Sequence, residues 1–71
     1  GYFMYFELNK EYITLAQLLK ICDVISSGGE SKLYLSQHGV LLNGEKENRR
    51  GKKIYKGDVV VCEDGTTINI V

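Results

Sequence analysis

Apolar positions along this chain change period twice. Tyr2 to Leu8 (Tyr-Phe-Met-Tyr-Phe-Glu-Leu) is a short aromatic-rich run that suits a β-strand, so its aromatics are expected in the core or on an edge strand. From Ile13 to Ile25 the period becomes helical. Leu15, Leu18, Leu19, Cys22 and Ile25 share one face, and Gln17, Lys20 and Asp23 fall away from it. Thr14 and Gln17 have capping-box spacing, with Ile13 and Leu18 at the staple positions around that cap. A second helix is predicted from Ser27 to His38. Ser27 and Glu30 repeat the capping-box spacing, and Gly39 suits a helix C-terminus. Alternation of Leu33 and Leu35 would also fit a strand, but the length and both end signals favour helix.

From Val40 onward the pattern is β. Asn43-Gly44 and Asp64-Gly65 are two-residue hairpin signals, because both central positions of that turn need φ > 0. With Asp64-Gly65 as the turn, Val61 faces Ile68 and Val59 faces Ile70. These four are the expected core face, and Val60, Cys62, Thr67 and Asn69 the opposite one. Asn48 to Gly57 is polar, basic and glycine-containing, and reads as an exposed loop with at most one short strand around Ile54. The fold class is therefore α+β: two helices packed on a small antiparallel sheet, in a single domain over residues 1–71.

Composition sharpens this picture in two ways. At 71 residues and 44% apolar content the chain is globular, with a thin stability margin. Its formal net charge is zero, which on its face argues against a nucleic-acid partner. The layout says otherwise. Lys46 to Lys56 carries six bases and one acid, leaving three bases and eight acids elsewhere. Zero is thus the sum of a +5 segment and a −5 remainder. No apolar run is long enough to span a bilayer, and no signal-peptide pattern opens the chain. Gly1 is not a translation start, so residues 1–4 are read as partly non-native, with Met4 a candidate start. Cys22 and Cys62 are too few for a disulfide scaffold and lack zinc-ligand spacing, which points to reduced structural thiols in a cytoplasmic protein. No metal and no cofactor is expected.

The basic segment is the main candidate for function. Lys46, Arg49, Arg50, Lys52, Lys53 and Lys56 repel one another, and a polyanion offsets that repulsion with release of counterions. A solvated surface loop is the plain alternative. Gly28 and Gly29 precede the second helix, where glycines let a phosphate approach the amides of a helix N-terminus; as a plain reading they make a turn. Lys32 lies one turn inside that helix. Tyr55 is the single aromatic within the basic stretch, which argues against a multi-base stacking platform. Gly44 to Lys53 fails as a P-loop, since Lys53 stands where Ser or Thr is required. His38 is the single histidine and reads as a surface residue at a helix end. No nucleophile–base or paired-carboxylate motif appears, so no catalytic residue is assigned and the chain is not read as an enzyme.

Three stretches carry a resemblance: Ser26-Ser27-Gly28-Gly29-Glu30-Ser31-Lys32, then Gly39-Val40-Leu41-Leu42-Asn43-Gly44-Glu45, then Lys56-Gly57-Asp58-Val59-Val60. In that order they resemble the S4 RNA-binding domain, over roughly Tyr12 to Val61. Adding Glu47-x-Arg49-Arg50-x-Lys52-Lys53, the chain is similar to the small stand-alone bacterial S4 proteins of the YaaA/YbcJ type. The resemblance implies an αL-type S4 fold and binding to structured RNA, ribosomal RNA included. A monomer with a ribonucleoprotein partner is expected. By position it points to Lys32 on the second helix and to Arg49, Arg50, Lys52 and Lys53 in the loop. Many S4 domains carry an arginine near Gly28 and an alanine at Ser31. Both differ here, and Glu30 adds an acid, which shifts weight onto the loop. A protein-interaction adaptor using the basic loop or the N-terminal edge strand is the alternative.

Overall fold

Extended backbone near the two chain ends meets in the computed structural model, which describes residues 2–71. Phe3–Phe6 (β1) runs parallel to Thr67–Ile70 (β7), with Phe3 opposite Thr67 and Phe6 opposite Ile70. β7 pairs antiparallel with Val59–Val61 (β6), β6 with Val40–Leu42 (β3), and β3 with Glu45–Glu47 (β4). The strand order is β1-β7-β6-β3-β4. The expected antiparallel sheet is therefore mixed, because β1 adds in parallel at its edge. A parallel neighbour needs a long connection, and here the whole intervening chain supplies it. A separate antiparallel ladder joins Ile13–Thr14 (β2) to Lys53–Ile54 (β5). The helices Leu15–Ile21 (α1) and Glu30–Gln37 (α2) lie between β2 and β3.

α1 starts as its cap predicts. Thr14 Oγ1 accepts from the Gln17 amide at 3.3 Å, and Gln17 Oε1 accepts from the Thr14 amide at 3.1 Å. The helix is shorter than the expected 13–25 at both ends. Ile13 and Thr14 are extended because they pair with β5, and Asp23 at φ 63° turns the chain out of the helix. Ile25 still reaches the core, but from an irregular segment whose amide returns to the Leu19 carbonyl.

α2 is capped differently from the prediction. Its N-cap is Gly29, without a side-chain cap, and the Ser27–Glu30 box does not form. Glu30 reaches back one residue further, where its Oε1 accepts from both the amide and the hydroxyl of Ser26. Ser31 and Leu35 are the buried pair on α2, and Leu33 is exposed. Ser31 is buried at no polar cost, since its hydroxyl donates to the Gly28 carbonyl at 2.6 Å. Gly39 follows the helix at φ 73°, the left-handed conformation expected there.

The Asn43-Gly44 hairpin forms as read, with φ 52° and 87°. The Asp64-Gly65 hairpin does not. Cys62 and Thr66 close a three-residue loop: the Cys62 amide donates to the Thr66 carbonyl at 2.8 Å, and the Gly65 amide to the Cys62 carbonyl at 3.0 Å. Of the two turn residues only Gly65 takes positive φ (91°). Asp64 instead accepts from the Thr66 amide at 2.9 Å. The longer loop slips the register by one, so Val59 faces Asn69, Val60 faces Ile68 and Val61 faces Thr67. A one-residue slip moves a strand's side chains to the opposite face. Val60 and Cys62 are buried with Ile68 and Ile70, while Val59 and Val61 are half-buried. The expected core residues of β7 stand, and those of β6 exchange faces.

Leu15, Leu18 and Leu19 of α1 and Leu35 of α2 close over Val60 and Ile68 of the sheet, with Ile13 and Ile54 of the short ladder joining them. The N-terminal aromatics divide. Phe6 packs against this core, whereas Phe3 and Tyr5 stay exposed on the edge strand and Tyr2 just before it.

Candidate nucleic-acid interface

The basic segment begins on β4 and runs through the loop into β5. Lys46, Arg49, Arg50, Lys53 and Lys56 are exposed, and Lys52 is half-buried. The loop's backbone is not free, although its side chains are. The first-turn amides of α1 have no partner inside their own helix. Leu15 N–H donates to the Lys52 carbonyl at 2.9 Å and Ala16 N–H to the Arg50 carbonyl at 3.0 Å. A turn from Arg49 to Lys52, closed by the Lys52 amide on the Arg49 carbonyl at 3.1 Å, presents those two carbonyls. The basic side chains are thereby carried on a docked, hydrogen-bonded turn.

Glu47, the one acid of the segment, is largely buried on β4. It accepts from Arg49 three times: the backbone amide at 3.0 Å, Nε at 2.8 Å and Nη2 at 3.0 Å. The Arg49 hydrogen bonds hold the Glu47 carboxyl down at about 2, and Glu47 in turn raises Arg49. The pair fixes the guanidinium in place and leaves its remaining N–H groups toward solvent, where 71% of the side chain lies. Lys46, Arg49 and Lys52 converge on a polar recess of about 250 Å³, whose wall is completed by Leu42, Asn43, Glu45 and Glu47.

The remaining predicted residues lie elsewhere. Lys53 leaves the turn on the other side, its Nζ 4.9 Å from the centre of the Tyr12 ring. Lys56 is exposed in the turn before β6. Lys32 is exposed on α2 and shares neither recess nor ion pair with the loop bases among the described residues. Gly28 and Gly29 are exposed, and open space surrounds the Gly28 Cα. The Glu30 and Ser31 amides close turns onto the Ser27 and Gly28 carbonyls at 3.1 and 3.2 Å, and the Ser26 hydrogen bonds lower the Glu30 carboxyl. His38 caps α2, packing on Tyr34 and pairing through Nδ1 with Glu63. Both cysteines are free thiols; burial pushes Cys62 up to about 11 and raises Cys22. Among the described residues no cluster of His, Cys, Asp or Glu could hold a metal ion, and no helix is long and apolar enough to cross a membrane.

The Asn-Gly and Gly-Asp motifs meet in space. Asn43, of the β3–β4 hairpin, donates from Nδ2 to Asp58 Oδ1 at 3.0 Å and accepts on Oδ1 from the Val59 amide at 2.9 Å. Asp58 Oδ2 also accepts from the Tyr55 amide at 2.8 Å. The family model described as the S4 domain matches residues 6–71. This chain belongs to the S4 domain family. A Bacillus subtilis (strain 168) protein, named a probable ribosome maturation protein, RlbA, is 52% identical over 64 residues; the match covers 90% of each chain. In this S4 domain the Asn-Gly and Gly-Asp motifs act as one clamp. They tie the β3–β4 hairpin, which carries Lys46, to the start of β6 and, through the Tyr55 amide, to the end of the basic segment.

Among the contacts that the sequence did not indicate, two differ in how visible they were. Glu47 as the partner of Arg49 had a visible signal, a lone acid two residues away in a basic run. Tyr12 beside Tyr55 had none, because the β2–β5 ladder joins residues far apart in sequence.

Proposed function

We propose that this S4-domain protein is a non-enzymatic RNA-binding module for structured RNA, with a role in ribosome maturation like that named for its Bacillus subtilis relative. The observation that carries the reading is the convergence of Lys46, Arg49 and Lys52 on one polar recess beside a backbone-anchored turn. One guanidinium held by Glu47 and two lysines around a concave polar surface suit phosphate oxygens. Arg50, Lys53 and Lys56 extend the positive surface, and Lys32, Gly28 and Gly29 offer secondary backbone contacts from α2. Shape then outweighs base sequence, as is usual for duplex-containing RNA.

The test is a titration of a ribosomal RNA hairpin at several salt concentrations. Neutralising about four phosphates gives a slope of log K against log salt near −3 to −4. A flat response sinks the reading. Changing Arg50 and Lys52 together to Ala is expected to weaken binding with little change in the melting curve.

A second reading, a protein-interaction adaptor, draws on Tyr2, Phe3 and Tyr5, which are 68 to 72% exposed at the β1 edge. Copurified material that absorbs at 260 nm and is removed by nuclease favours RNA. A stoichiometric acidic protein favours the adaptor.

A further inference from the structure

The β2–β5 ladder does more than brace α1. Ile13 faces Ile54, and Thr14 faces Lys53. Ile13 and Ile54 point into the core, so their strand neighbours turn outward. Tyr12, Thr14, Lys53 and Tyr55 therefore share one outer face. There the Tyr12 and Tyr55 rings lie 6.2 Å apart at 54°, and both remain exposed, at 37% and 44%. Lys53 Nζ is held over the Tyr12 ring. Beside Tyr12 opens a recess of about 330 Å³ lined by Lys10, Glu11, Thr14 and Gln17. The Thr14 amide occupies the Gln17 carboxamide oxygen, which leaves the Gln17 NH2 as a donor for a base edge.

Resting on the RNA-binding reading, we infer that Tyr55, backed by Tyr12, stacks an unpaired RNA base next to the phosphate-binding turn, with Lys53 placed for that nucleotide's phosphate. Two accessible aromatic rings within a positively charged surface suit a nucleotide, which offers a π-face and an anion together. The RNA feature recognised is then a duplex bordered by an unpaired nucleotide. The basic turn takes the duplex backbone, and the tyrosine pair takes the first base outside it.

Two probes test this: a blunt RNA duplex, and the same duplex with a 3′ tail of unpaired adenosines. Wild-type protein is expected to bind the tailed duplex on the order of tenfold more tightly. Tyr55→Leu removes that advantage and leaves blunt-duplex affinity nearly unchanged, whereas Tyr55→Phe keeps it. Equal binding of both probes by wild-type protein, or an undiminished advantage in Tyr55→Leu, overturns the inference while RNA binding stands. If neither probe binds, the inference falls with the reading beneath it. A readout independent of any variant uses 2-aminopurine at the first tail position. Quenching on binding to wild-type protein supports stacking, and unchanged fluorescence at saturation overturns it.

Discussion

Replacing Glu47 with Gln separates the two roles of the acid inside the basic segment. The Glu47 carboxyl drops from 4.5 to about 2 on folding, chiefly through the Arg49 hydrogen bonds. By linkage a drop of that size is worth at most about 3 kcal/mol. Most of the Arg49 side chain lies in water, and screening reduces the net contribution to about 1 kcal/mol. A domain of this size holds only about 4–11 kcal/mol in total, so the Glu47→Gln melting temperature is expected to fall by about 4–8 °C at pH 7. The pH dependence has a definite sign. A carboxyl lowered by folding contributes fully above its unfolded value of 4.5 and loses that contribution as pH falls toward about 2. Urea unfolding of both proteins from pH 7 down to 2 should show the stability gap closing across that window. The lowered Glu30 and Asp64 carboxyls are common to both proteins and cancel in the difference. For RNA the segment gains a unit of charge, so the salt slope steepens by about one. Equal stability at pH 7, or a gap that persists unchanged at pH 2, would refute the argument from the ion pair.

Five further substitutions probe the scaffold. Val60→Thr buries an unpaired hydroxyl and is expected to cost about 1–3 kcal/mol, whereas Val59→Thr stays within about 0.5 kcal/mol; urea midpoints in the opposite order would return β6 to the two-residue hairpin register. Asp58→Ala removes the acceptor of the Tyr55 amide and the Asn43 side chain and is expected to cost about 1–2 kcal/mol, with faster hydrogen exchange at the Tyr55 amide. Gly57 has open space around it but φ 93°, so Gly57→Ala should lower the melting temperature through backbone strain alone, while Gly28→Ala, free of both constraints, should not.

Local signals are legible in the sequence only in part, and long-range ones hardly at all. The Thr14–Gln17 cap and the Asn43-Gly44 turn depend on neighbours within four residues, and both form. The equally local Ser27–Glu30 box does not, because Glu30 accepts from Ser26 instead. The Asp64-Gly65 register failed because Asp-Gly serves a two-residue or a three-residue loop equally well. The choice rests on packing: the longer loop puts Val60 and Cys62 into the core. The α1 boundary failed for a related reason, since pairing with β5 holds Ile13 and Thr14 extended against their helical pattern. The parallel edge strand was hidden because nothing in Phe3–Phe6 encodes the direction of a partner at the far end of the chain. At the candidate site the cluster of bases was legible from charge alone. Its division into a recess on one side and an aromatic face on the other comes from the direction in which each side chain leaves the turn.

The two hydrogen bonds from the start of α1 to the Arg50 and Lys52 carbonyls have a kinetic consequence. A flexible basic tail finds a polyanion easily but gives up its freedom on arrival, and that loss opposes binding. Here the ordering is completed during folding, when the helix closes onto the turn. Encounter with a partner then requires only that six side chains settle, so complex formation should proceed in a single phase, with no slower step of loop closure. The same bonds make the turn as durable as the helix: it should resist proteases until the domain as a whole unfolds.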